Sequence, residues 1–328
     1  MMRRNWLAVA MGSAMFVSNA ASAASTSAAC TGDVTLDDAT TSTTCEVIGG
    51  RLILRGTKTP NLDAVVEVQG DIDMMLRPVS MGSGIQALGP SPQALSMPKL
   101  KRAKSILVTY AGVKTISLPS LESVEWIWWS NLTFVSVEPL PKLIKAGRIE
   151  ISETSGASKA LVALVEAKDL TYASRFNIAP LLPELKTITG KLSLARVDGG
   201  SFPKLSNVNE LKAHGVTKVS LPLVKKVNIL RLNSGAPANT VSGPDGFESV
   251  EEVGELEVRS TSWLAKKDRG LIRLKKVATM SLELSGCSLP AIQSIGELKL
   301  DSRLACLFGL RKYAKKVSYF KPGYQPPK

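Results

Sequence analysis

Pro119-Ser-Leu121-Glu-Ser-Val124-Glu-Trp-Ile127-Trp-Trp129 is the stretch that decides the fold. Counted from Pro119 as position zero, apolar residues stand at plus two, five, eight and ten. The same spacing follows Pro98 (Leu100, Ala103, Ile106, Val108) and Pro141 (Leu143, Ala146, Ile149, Ile151). It returns after Pro203 (Leu205, Val208, Leu211, Ala213), Pro222 (Val224, Val227, Leu230, Leu232) and Pro290 (Ile292, Ile295, Leu298, Leu300). The gaps between these units fill in without proline. Leu164, Ala167, Leu170 and Tyr172 make one such unit; Val250, Val253, Leu256 and Val258 make another; Leu274, Val277, Met280 and Leu282 make a third. Pro183 opens a unit with one extra residue (Leu185, Ile188, Leu192, Leu194), and that longer spacing occurs earlier at Ile48, Leu52, Leu54 and at Val68, Ile72, Met74.

A near-constant step of about 21 residues marks an internal repeat, which has to be recognised before secondary structure is assigned. The apolar pair at eight and ten alternates, so it reads as a short strand with one face buried. The earlier apolar residues, three apart, read as a turn-like segment closing the coil. Proline fixes φ and donates no hydrogen bond, which suits a corner. One such unit cannot bury its own apolar face, whereas stacked units can. The expected fold is mainly β, a right-handed parallel β-solenoid with one short strand per repeat. A two-layer α/β domain would not produce the fixed step.

The flanks add a compartment. Met-Met-Arg3-Arg4, an apolar run from Trp6 to Val17 and Ala21-Ser22-Ala23 form a secretory signal peptide over residues 1–23. The apolar run is shorter than the roughly 20 residues of a membrane span. A small-residue spacer (24–29) follows, then a single domain over 30–320 with caps at 30–45 and 284–320, and a flexible tail at 321–328. Val79 to Gln93 and Gly235 to Gly246 read as loops, and Gly156 to Lys168 could form a helix. The four cysteines, Cys30, Cys45, Cys287 and Cys306, allow three connectivities. The local pairing suits an oxidising compartment, each closed loop being worth about 3 kcal/mol. Lipidation of Cys30 is the rival, although Ser27 lacks the large aliphatic side chain of a lipobox.

Leu185-Lys-Thr-Ile188-Thr-Gly190-Lys-Leu192-Ser-Leu194 resembles the repeat phrase of receptor L-domains and the related fungal cell-wall repeat proteins. Val250-Glu-Glu-Val253-Gly254-Glu-Leu256-Glu-Val258 repeats it one residue shorter, and a cysteine pair ahead of the first strand is similar to that family's N-terminal cap. The resemblance covers residues 30 to 320 and implies a leucine-rich-repeat-like secreted solenoid, here with a bacterial style of leader. The corner prolines and the shortened glycine slot depart from it. No kinase or membrane part accompanies the repeats, so receptor signalling is not implied.

The net charge of +13 becomes +11 once the leader takes Arg3 and Arg4 with it. A basic chain outside the cytoplasm attracts acidic polysaccharide, lipopolysaccharide or anionic lipid, although charge also serves solubility alone. No nucleic-acid-binding motif is present, so nucleic acid is not an expected partner. The sole histidine, His214, falls at a strand-to-turn position in Ala213-His-Gly215, and one histidine cannot build a multi-histidine metal site. No P-loop, dinucleotide, nucleophile-elbow or zinc-protease motif occurs. No cofactor and no metal are expected.

Outward strand positions carry Glu150, Glu210, Glu255, Glu257, Glu283 and Glu297 among Lys191, Lys212, Arg231, Arg259 and Lys299, the mixture of a solvated surface. The local oddity is Glu125-Trp126-Ile127-Trp128-Trp129: in the repeat register Ile127 and Trp129 point inward, Trp126 and Trp128 outward. Adjacent outward indoles stack on sugars or on partners. The alternative is that the loop at 79–93 covers them. Trp126 and Trp128, with the cations Lys212 and Arg231, are the candidate binding residues. The expected function is that of an exported, monomeric, non-enzymatic binding or scaffold protein of the periplasm, cell surface or extracellular space. Its partner would be a glycan, an anionic envelope polymer or a protein. A polysaccharide-active enzyme and a purely structural envelope protein are the alternatives.

Overall fold

The computed structural model describes residues 28–75, 79–81, 84–86, 92–109, 112–132, 135–154, 157–174, 180–197, 199–216, 219–233, 246–259, 271–283, 289, 291–301 and 308–320. Strands β1 (Ala29–Cys30) and β2 (Val34–Leu36) begin the stack, and β3 (Val47–Ile48) and β4 (Leu52–Leu54) lie on the next coil. β5 (Glu67–Met75) is the first long rung. A hairpin, β6 (Val79–Met81) and β7 (Gly84–Gln86), and a short strand β8 (Ala94–Ser96) precede β9 (Arg102–Thr109). Then follow β10 (Thr115–Ser117), β11 (Ser123–Ser130), β12 (Ser136–Val137), β13 (Lys145–Ser152), β14 (Glu166–Ala173) and β15 (Thr187–Ala195). The last rungs are β16 (Asn207–His214), β17 (Lys226–Asn233), β18 (Glu252–Arg259), β19 (Lys276–Glu283), β20 (Ser294–Asp301) and β21 (Ala314–Phe320), with helix α1 (Phe308–Arg311) before β21.

The rungs form one 16-stranded sheet in which each long strand pairs in parallel with the rung before and the rung after. The fold is a parallel β-solenoid with turns of about 21 residues. Its core is the set of positions that carry the repeat. Leu121, Ile127 and Trp129 are fully buried and Val124 nearly so, and the same holds for their equivalents from the β5 rung to the β19 rung, whereas Cys30 and Val34 in the first coil and Ala314 and Val317 on β21 are half-buried. These side chains stack on their counterparts about 4.8 Å above and below, and the resulting column is the interior.

The corner works through a hydrogen bond. The carbonyl of position minus one accepts from the N–H of position plus two: Leu118 from Leu121 at 3.1 Å, Leu140 from Leu143 at 3.2 Å, Leu182 from Leu185 at 3.3 Å, Phe202 from Leu205 at 3.2 Å. The proline is therefore residue i+1 of a β-turn, where its fixed φ fits and no N–H is needed. Coils without proline close identically, Phe247 to Val250 at 3.1 Å and Leu271 to Leu274 at 3.2 Å. The residue at minus one is also buried throughout (Met97, Leu118, Leu140, Phe202, Phe247). The repeat spacing did not include this position.

The strands are longer than expected. They begin four residues after the proline, so only the first part of the expected turn-like segment, up to position two, is a turn, and position five already lies in the strand. The spacing of three between positions five and eight survives because the chain bends at position six. Register runs Ser123↔Arg102, Val124↔Ala103, then Trp126↔Ser105, leaving position six unpaired. In the β13 rung that position is Gly147, where a Cβ would collide with the Glu125 carbonyl oxygen. The bend splits the outer surface into two facets. One holds positions one, three, four and six, the other positions seven, nine and eleven. At the far end the strands close on a left-handed residue, Asn131 (φ 54°), Glu153 (φ 50°), Arg196 (φ 52°) and Gly215 (φ 59°), whose N–H still reaches the next coil. A second, 3-stranded sheet, β12-β10-β8, lines another side.

Cys30 and Cys45 form a disulfide with Cα atoms 5.8 Å apart, so the Cys30 thiol is not a lipid attachment point. Asp33 binds Arg51 at 2.9 Å beside it. The stretch from Gly156 to Lys168 is not a helix: it holds a single 3-10 turn at Ala157–Lys159, and β14 starts at Glu166. Leu161 and Leu164 there serve the corner turn instead. Residues 284–320 contain two further rungs, β20 and β21. The leader, Cys287, Cys306, the tail and the segment 234–245 lie outside the described residues.

Leu121→Ala should destabilise the protein by about 2–5 kcal/mol through the cavity it leaves. Pro119→Ala should cost about 1 kcal/mol or less, since coils lacking proline make the same turn. Urea denaturation followed by circular dichroism decides; the reverse order would contradict this account of the corner.

Candidate functional site

The bend at position six aims positions seven, nine and eleven of each rung onto one facet. On β11 these are Trp126, Trp128 and Ser130, flanked in register by Ser105, Leu107 and Thr109 on β9 and by Arg148, Glu150 and Ser152 on β13. Trp126 and Trp128 are outward, as the register required, but half-buried. Their rings stack in parallel, with centroids 5.7 Å apart and planes 4° from each other. The Arg148 guanidinium lies 5.5 Å over the Trp126 ring and is ion-paired with Glu150. Among the described residues Trp126 therefore has two ring partners and Trp128 one, which makes Trp128 the more available platform of the two. The Trp126 indole nitrogen is buried with no hydrogen-bond partner among the described residues. Ser105, Leu107 and Thr109 are buried although they hold outward positions. The signal was present in the sequence: Leu107 is an apolar residue at position nine.

Lys212 and Arg231 are neighbours on the same facet, on β16 and β17. They line a shallow depression of about 250 Å³ with Asn233, Glu257 and Arg259. Arg231 is heavily engaged: it pairs with Glu210, with Glu257 at 3.1 Å and with Glu255 at 3.6 Å. Arg259 also pairs with Glu257. Lys212 has no ion pair among the described residues. The structure keeps the two candidate groups apart. Trp128 and Lys212 share position nine but are separated by the β13, β14 and β15 rungs, where Glu150, Thr171 and Ser193 occupy it.

The outward carboxylates are mostly tied to cations of neighbouring rungs. Glu297 is bonded by Lys316 at 3.1 Å and by the Ser318 hydroxyl at 3.2 Å, and the Lys316 bond is the largest cause holding its carboxyl below the usual 4.5. Lys226 does the same to Glu252, and Lys275 to Glu251. At the N-terminal cap, backbone N–H groups of Arg51 and Lys58 lower Asp33 and Asp38. These five carboxyls are all held down, in the opposite direction from a general acid. His214 ends β16, half-buried, with its carbonyl accepting from the Arg196 N–H at 2.8 Å. Among the described residues no three His, Cys, Asp or Glu side chains cluster as a metal site would require, and no helix is long and apolar enough to cross a membrane.

No known protein family, no curated protein and no solved structure matches this chain.

The lowered carboxyls give acid sensitivity a definite sign. A carboxyl whose folded pKa is depressed stabilises the fold above its unfolded value, and that contribution is lost as pH falls through the folded value. The affected groups have ordinary values of 3.8 for Asp and 4.5 for Glu. The melting temperature should be level from neutrality to about pH 5 and drop below about pH 4. Scanning calorimetry across that range checks this, and a rise on acidification would contradict it.

Proposed function

We propose that this chain is an exported, non-enzymatic binding or scaffold protein that holds a glycan or a protein partner on the outer facet of its solenoid. The observation that carries the reading is the stacked pair Trp126 and Trp128, set at outward positions on a rigid rung. A half-buried indole offers a flat apolar surface at little entropic cost. Ser130 and Ser152, whose hydroxyls bond each other at 2.8 Å, border it with polar groups. Arg148 adds a cation at the opposite side. Such a mixture of flat aromatic and hydrogen-bonding groups suits a sugar ring or a peptide edge.

The N-terminal leader and the Cys30–Cys45 disulfide support an extracytoplasmic setting. The phrase around Gly190, where β15 takes an extra residue and the register shifts against both neighbours, supports the kinship with receptor L-domains. The pairing of the outward glutamates with neighbouring cations favours binding over hydrolysis.

An array of neutral and acidic glycans, probed with the secreted protein and with Trp128→Ala, tests this. The reading expects a bound glycan whose affinity falls by at least about tenfold in the variant, the loss of one stacking contact. Trp129, fully buried, should keep its fluorescence on binding while the signal from the pair changes. Binding unaffected by Trp128→Ala would remove the site. If no glycan binds and capture from envelope proteins does not depend on Trp128, the reading fails as a whole.

A further inference from the structure

The two outer facets differ sharply in charge. From the β9 rung to the β20 rung, positions seven, nine and eleven and their register equivalents carry six cations and six carboxylates among the described side chains. Most of these neutralise each other, within a rung as in Arg148–Glu150, Arg259–Glu257 and Lys299–Glu297, or across rungs around Arg231. Over the same rungs, positions one, three, four and six carry fourteen Lys or Arg and six Glu. Over these rungs the excess positive charge of the described outer positions therefore sits on the turn-side facet, away from Trp128 and Lys212.

Four of those six glutamates are already occupied. Lys145 holds Glu166 at 2.8 Å, Lys204 holds Glu184 at 2.6 Å, Lys226 holds Glu252 at 2.8 Å and Lys275 holds Glu251 at 2.7 Å. Glu122 and Glu125 interrupt the facet at the β11 rung. Lys99, Lys101 and Lys104 on one coil, and Lys142, Lys186 and Lys225 farther along, are exposed and have no ion pair among the described residues. Charge alone would suit any polyanion. The second observation is apolar. Three large hydrophobic side chains are exposed among the described residues, and two of them lie on this facet: Ile144 at 56% and Leu223 at 49%. Ile144 stands between Lys142 and Lys145, with half-buried Val165 on the adjacent coil, where the Val165 N–H donates to the Ile144 carbonyl at 2.8 Å. Leu223 is followed by Lys225 and Lys226. The third, Leu181 at 42%, lies just before a corner turn between those two coils.

Lysines around protruding aliphatic side chains match a surface with anionic headgroups above an apolar layer. A soluble linear polyanion would use the lysines and gain nothing from Ile144 or Leu223. We propose that the turn-side facet is a docking face for an anionic lipid surface, with the lysines on headgroups and Ile144 and Leu223 entering the interface. It is independent of the glycan or protein site at Trp128, so either can fail alone.

Vesicle co-sedimentation tests it with phosphatidylcholine vesicles, phosphatidylcholine/phosphatidylglycerol vesicles, and heparin as a soluble linear polyanion. The expected result is binding to the anionic vesicles only, weakened by salt. The triple variant K99E/K101E/K104E should lower that binding by at least about tenfold. K114E/K159E/K191E changes charge equally on other faces and should leave it within about twofold. I144D/L223D should weaken vesicle binding several-fold and leave heparin binding unchanged, with all variants melting as the parent does. No binding to anionic vesicles overturns the proposal. So does equal loss in the two triple variants, or vesicle binding indifferent to I144D/L223D; heparin binding without vesicle binding assigns the facet to a soluble polymer instead.

Discussion

A coil of about 21 residues has no interior of its own, and this constraint governs everything else in the molecule. Its apolar side chains can leave water only by standing on those of the coil before and the coil after. The corner turn makes that possible. By closing from the carbonyl at minus one to the N–H at plus two, it returns the chain to the same starting point each time. Leu100, Leu121, Leu143, Leu164 and Leu185 consequently form one buried column. The turn satisfies its own backbone, and the ladder satisfies that of the strands, so repetition leaves few unpaired polar groups inside.

Most of the architecture was legible because the repeat is a direct physical record of burial. Positions two, five, eight and ten are apolar since they face the column, and the proline marks where φ can be fixed without losing a donor. The parts that were not legible have equally specific causes. The strand's first half was hidden by the spacing of three between positions such as Val124 and Ile127, which imitates a turn and in fact reports the bend at Glu125. The segment from Ala157 to Leu164 has the composition of a helix, but its leucines are claimed by the corner. The buried residue at minus one was missed because the count began at the proline. Cys30 had two open fates from sequence, and the disulfide closes one of them.

The candidate site was only partly legible. Register alone placed Trp126 and Trp128 outward, since alternation within a strand is strict after the bend. It could not show that the rings stack on each other, or that Arg148 from the next rung covers Trp126, because lateral contacts depend on rotamers. Lys212 and Arg231 looked alike as outward cations, yet Arg231 is bound by three glutamates and Lys212 is not. The basic balance likewise gave a sign without a location. The bend at position six separates a charge-balanced facet from a lysine-rich one. Two surfaces of different chemistry thus share one stack.

The central claim is that successive repeats lie in register, one coil per rung. Spin labels placed at position nine test it most directly, with Thr171 on β14 as the fixed site and Lys212, Ser281 or Lys299 as the second. Pulsed dipolar spectroscopy should return separations of about 10, 24 and 29 Å, corresponding to two, five and six rungs at about 4.8 Å each. Separations that fail to grow with the number of rungs would contradict the solenoid.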